Sequence, residues 1–209
     1  MNISIALKSL MGAAALTLPL VAYAGSSFTS GAGNLTATAT VNFSVVIPQF
    51  LYLRVGAGSS YSTGTRATVA GTDLITFSPA VAAVGNGTAV VGVGGDIPGG
   101  GIETAAIIGN GGNVTLVAAT TGQLSDGAGD SISFTQITTA ATANAEATLL
   151  AAPPLNNTTS SETVTAVNKV VKADAKWTFG YANTVTPAAG TYGGSVANNG
   201  IVTYTATML

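Results

Sequence analysis

Every odd position from Leu35 to Ile47 is apolar, and every even position between them except Val46 is Thr, Asn or Ser. A side-chain period of two is the signature of a strand with one buried and one wet face. Extended, this run would reach roughly 43 Å at ~3.3 Å per residue, well beyond the usual strand of about five or six residues. A long amphipathic strand close to a free end has two uses. It can complete the sheet of its own molecule, or it can be lent to a neighbour. The expected function turns on that choice.

The residues ahead of it read as a secretory leader. Lys8 is the one charge among residues 1–24, Leu10 to Val21 form an apolar core interrupted by Pro19, and Ala22-Tyr23-Ala24 is a small-x-small cleavage site before Gly25. The apolar stretch is shorter than the ~20 residues a bilayer-spanning helix needs. Further along, every apolar run is cut by Gly, Thr, Asn or Asp, so the exported chain is expected to carry no membrane span. Residues 25–34 are Ser- and Gly-rich with Phe28 the lone large apolar side chain, and they read as a flexible lead. Residues 35–209 are expected to form one β domain, with 35–47 as the candidate donor strand.

Charge is scarce. After the leader, Arg54, Arg66, Lys169, Lys172 and Lys176 face eight acids, which is no basic footprint for nucleic acid. The chain has no cysteine, so no disulfide can staple the domain in an oxidising compartment. Stability must come from burial, backbone pairing or association. A surface so poor in charge, on a chain with mean hydropathy of +0.50, suits a protein whose working state is an assembly.

Pro48 interrupts the first run, because proline cannot donate to a ladder. A strand is expected over 50–55, with Leu51, Leu53 and Val55 on one face and Phe50, Tyr52 and Arg54 on the other. Arg54 beside two aromatics reads as an arginine that packs its stem on rings and sends its head to water or a carbonyl. Further strand-like runs lie at 67–69, 73–77, 88–93, 105–108, 113–118 and 131–137, punctuated by glycine clusters, and this spacing predicts a sandwich or barrel. The alanine-rich tract 140–150 has helix propensity and ends at Pro153-Pro154. Near the end, Ala175, Trp177, Phe179 and Tyr181 alternate with polar residues, Asn198-Asn199-Gly200 is a hairpin signal, and Val202, Tyr204, Ala206 and Met208 share one face of a last strand.

Chemistry-bearing motifs are few. The chain has neither histidine nor cysteine, which excludes Ser-His-Asp and Cys-His nucleophile systems and the common zinc sites. No glycine run completes a phosphate-binding fingerprint. Asp126 and Asp130, flanking Gly127-Ala128-Gly129, read either as oxygen donors for Ca²⁺ or as a solvated turn. Trp177 with Tyr181 reads as a sugar platform or, at alternating strand positions, as core. No cofactor, metal or catalytic residue is expected, and the chain is not expected to be an enzyme.

Three stretches together resemble secreted bacterial fimbrial subunits: residues 38–55 (Thr38-Ala-Thr-Val-Asn-Phe-Ser-Val-Val-Ile-Pro-Gln-Phe-Leu-Tyr-Leu-Arg-Val55); Val114-Thr-Leu-Val with Leu124-Ser-Asp-Gly and Ile132-Ser-Phe-Thr-Gln-Ile137; and Trp177-Thr-Phe with Pro187-Ala-Ala-Gly-Thr-Tyr192 and Gly200-Ile-Val-Thr-Tyr204-Thr-Ala-Thr. The resemblance is to the chaperone–usher pilin class and covers about half of the chain after the leader. It implies an all-β, immunoglobulin-like sandwich completed by a neighbour's N-terminal strand. It also implies a homopolymeric fibre on the bacterial surface, serving adhesion or biofilm formation, with a periplasmic chaperone and an outer-membrane usher as partners. The chain departs from the class in lacking a cysteine pair and in ending Thr-Met-Leu, with Tyr204 five positions before the end. On this reading Leu35, Val41, Phe43, Val45 and Ile47 are donor anchors, and Val202, Tyr204 and Met208 border the acceptor. The rival expectation is a self-contained secreted carbohydrate-binding domain in which residues 35–47 pair within their own sheet.

Overall fold

Val171–Tyr181, eleven residues long, is the strand around which the fold is built (β12). In the computed structural model, which describes residues 25–56, 61, 66 and 68–209, it belongs to a chain that is nearly all β. The expected leader at 1–24 and Ala67 of the expected strand at 67–69 lie outside the described residues. The chain divides into two units, residues 1–47 and 48–209.

In the first unit, residues 25–47 form no strand and every one of them is exposed. Side chains stitch two arms of this segment together. Ser27 Oγ donates to Thr38 O at 3.0 Å and accepts from Thr38 N–H at 2.7 Å, and Thr29 Oγ1 donates to Thr36 O at 3.1 Å.

The second unit holds thirteen strands among its described residues: β1 Leu51–Val55, β2 Ile75–Thr76, β3 Val90–Val91, β4 Val93–Gly94, β5 Ile102–Gly109, β6 Val114–Ala119, β7 Leu124–Ser125, β8 Ser131–Ile132, β9 Ile137–Thr142, β10 Thr148–Leu149, β11 Thr159–Val164, β12 and β13 Thr203–Met208. One sheet runs β1-β5-β12-β10, with β3 and β9 also pairing β12; a second runs β11-β6-β13; β2-β4 and β7-β8 are short ribbons. The alternation in the sequence maps onto one shared core. Ala105 and Ile107 of β5 and Val171, Ala173, Ala175, Trp177 and Phe179 of β12 bury with Val114, Leu116 and Ala118 of β6 and Val164 of β11. Trp177 is completely buried and donates its indole N–H to Leu150 O at 2.8 Å. The far face of the first sheet has a smaller cluster, Tyr61, Ala106 and Ile108, against which Phe50 and Tyr52 pack. No described helix is long and apolar enough to cross a membrane.

Several expected elements differ in the structure. Residues 140–150 are not helical: β9 carries the tract's start, and β10 its end. Ile137, Thr139 and Ala141 alternate with exposed Thr138, Ala140 and Thr142, and six pairings to β12 outweigh the weak intrinsic preference of alanine. Residues 131–137 break after Ile132 into a 3-10 turn, Phe134–Gln136, whose entry is capped by the Ser133 side chain. Described residues at 67–69 form no strand, and 73–77 contributes only β2. At Asn198-Asn199-Gly200 a turn forms with Asn199 at φ 55°, but no strand precedes it, so it leads into β13 instead of closing a hairpin.

Candidate polymerisation groove

β13 exists because residues 203–208 alternate strictly, and its register follows from the apolar face. Tyr204 pairs with Ala118, Ala206 with Leu116 and Met208 with Val114. Those three and Val202 are half-buried on the core, while Thr203, Thr205 and Thr207 are exposed. Tyr204 also leans on Trp177, ring centroids 5.3 Å apart at 45°. Burial, and secondarily the charge of Glu103, pushes the Tyr204 hydroxyl well above its ordinary value. Three of the expected site residues, Val202, Tyr204 and Met208, therefore lie on one inward face.

β1 reaches the same place from the other sheet. It pairs only with β5 among the described strands, and β13 only with β6. Leu51, Leu53 and Val55 turn inward and are half-buried against the same core as β13. The two strands approach each other without a ladder between them. At one end Gln49 donates to the Met208 sulfur at 3.2 Å. The outcome is a seam between two unpaired edges, floored by core side chains and lined by seven incompletely covered apolar residues. β1 was not among the residues expected to border an acceptor. The signal was present in the alternation of Leu51, Leu53 and Val55, but which sheet edge they occupy depends on long-range pairing with β5.

The remaining expected residues show the opposite character. Leu35, Val41, Phe43, Val45 and Ile47 are 51%, 69%, 91%, 83% and 75% exposed. Five large apolar side chains within thirteen residues therefore face solvent.

Other candidate sites resolve into structure. Arg54 is buried, donating through Nε to Gly56 O at 3.0 Å, with Nη2 3.6 Å from Asp96 Oδ2; its head goes to a carbonyl, as the sequence suggests, and also to an acid. Asp126 Oδ1 accepts from the N–H groups of Ala128, Gly129 and Asp130 at 2.8, 3.1 and 3.0 Å. Those backbone donors hold its carboxyl below the usual range, and they make the segment a self-capped turn. Among the described residues no group of three or more acids is arranged to hold a metal ion. With Trp177 sealed in the core, its ring face is not available to a sugar. Comparison with protein-family models, with curated proteins and with solved structures finds no match to this chain.

Proposed function

We propose that the chain is a structural, non-enzymatic subunit of an extracellular fibre. In this reading the body is an incomplete immunoglobulin-like sandwich, and residues 35–47 of one copy complete it in the next. The carrying observation is the seam itself: β1 and β13 are adjacent, unpaired and apolar on their inner faces. The exposed alternating segment supplies the complementary chemistry. Strand addition gives generic affinity through backbone bonds, and alternate side chains give specificity. Val41, Phe43, Val45 and Ile47 would fill successive positions along the seam, with Leu35 six residues further along the donor. At about 1.5–3 kcal/mol for each large buried side chain, five anchors contribute roughly 8–15 kcal/mol before ordering costs. A joint of that strength also stabilises a domain that has no cysteine.

The partners that follow are other copies of this chain, with a periplasmic chaperone and an outer-membrane usher holding the seam until assembly. No cofactor enters. Negative-stain microscopy of the expressed and sheared protein tests the reading. Filaments or ladders of bound subunits support it. A homogeneous monomeric particle overturns it in favour of a self-contained binding domain.

A further inference from the structure

Three acids from separate segments converge where β1 ends. A side-chain carbon placed on Gly56 would collide with Glu103 Oε2 and lie 2.6 Å from Asp73 Oδ2. Both carboxyl groups therefore press against this residue, whose φ of 63° also favours glycine. The Glu103 and Asp73 carboxyl groups thus crowd the same point on Gly56. Two carboxyl groups sharing one buried site repel each other when both are ionised, so a proton is retained there. We propose that Glu103 keeps its proton beside Asp73 and acts as a pH-sensitive clasp, holding β5 against the segment that enters β2 in acid and neutral media and releasing it in alkali.

The surroundings favour retention of that proton. Glu103 is 5% exposed and sits on the inner face of β5, opposite Trp177 of β12, whose N–H is already committed to Leu150. Asp96, from the loop after β4, donates its backbone N–H to Glu103 Oε2 at 3.1 Å, which alone favours the ionised form and is outweighed by burial. The Asp96 carboxylate is itself occupied by Thr104, whose N–H donates to Oδ1 at 2.8 Å and whose hydroxyl donates to Oδ2. Arg54 of β1 directs its charge at Asp96. From β13, Tyr204 feels the charge of Glu103. Burial foremost, then the fields of Asp73 and Asp96, push Glu103 up to about 8. Burial also raises Asp96.

The sign follows from linkage. Between the ordinary carboxyl value near 4.5 and about 8, the folded chain holds a proton that the unfolded chain has released. Stability therefore falls as pH rises through that window, by about tenfold in the folding constant per pH unit for one proton. Above it the slope vanishes, and the two carboxylates repel. The chain has no histidine or cysteine, so the side chains that ordinarily titrate here are absent, and the part of the slope lost in Glu103→Gln belongs to this cluster.

The clasp stands apart from the fibre reading, because its test uses subunit folding. Urea unfolding of the full chain, isolated as monomer and followed by the fluorescence of its single tryptophan, is measured from pH 5 to 9.5. The folding constant is expected to fall steadily to about pH 8 and then level off. Glu103→Gln should remove about one proton's worth of that slope, and Asp73→Asn should narrow its pH window by a smaller amount. Retention of the wild-type slope in Glu103→Gln overturns the proposal. Infrared spectra of the folded protein provide a second measurement should a variant fold poorly. A buried protonated-carboxyl band present at pH 6.5 and lost by pH 9.5 supports the clasp, and its absence at pH 6.5 overturns it.

Discussion

β11 and β13 flank the same central strand, β6, and their outer faces are alike: Thr159, Ser161 and Thr163 on one, Thr203, Thr205 and Thr207 on the other. Their inner faces differ. β13 turns Tyr204, Ala206 and Met208 toward the core, whereas β11 turns Ser160, Glu162 and Val164. Ser160 Oγ is buried without a hydrogen-bond partner, and Glu162 sets a charge on the face that a docking strand would have to cover. An inward-pointing charge is a recognised way to keep an edge strand from pairing with other chains. One edge of the three-stranded sheet is thus guarded and the other left apolar. Both edges expose the same backbone groups, so it is the side chains beneath that select where a strand can add.

The largest test of this difference is deletion. Removing Ile201–Leu209 strips Val114, Leu116 and Ala118 of β6 of their cover and takes Tyr204 from Trp177. The loss should exceed the whole stability of a typical domain, about 5–15 kcal/mol, and protease resistance should vanish. Removing residues 25–47 should leave the body resistant but unable to polymerise. Normal filaments from that truncated chain would remove residues 35–47 from the donor role.

A point substitution on the donor should act next most strongly. Phe43→Asp puts an unpaired carboxylate on the face meant for the seam, at several kcal/mol, and filaments should disappear from micrographs. Asn42→Asp, on the opposite face, should change the joint by less than about 0.5 kcal/mol. Equal effects at the two positions would show that the period-two face is not the binding face.

Glu162→Val makes β11 resemble β13. Subunit stability should move by less than about 1 kcal/mol, yet sedimentation velocity should show new association through the unguarded edge. An unchanged distribution would mean that something other than Glu162 protects β11.

Much of this was legible because it rests on local period. The faces of β12 and β13 follow from alternation at Ala175–Tyr181 and Val202–Met208, and β6 lies within the strand-like run at 113–118. The alanine-rich stretch at 140–150 misleads because helix propensity is small beside the ladder to β12. The guard at Glu162 and the clasp of Asp73, Asp96 and Glu103 have no sequence signature. Their meaning arises only when register puts Glu162 beside Leu116 and the topology brings residues 30 positions apart around Gly56. Residues 35–47 show the converse case: their alternation is the clearest in the chain, and the subunit does not use it in any strand of its own.

The central claim, that the β1–β13 seam receives residues 35–47 of another copy, is open to a direct measurement because the chain lacks cysteine. Subunits carrying Val41→Cys, Phe43→Cys or Val45→Cys are mixed one at a time with subunits carrying Ala206→Cys, or with subunits carrying Glu162→Cys, and oxidised. The account predicts intermolecular disulfides to position 206 on non-reducing gels and none to position 162. Cross-linking to 162 as readily as to 206, or to neither, would contradict it.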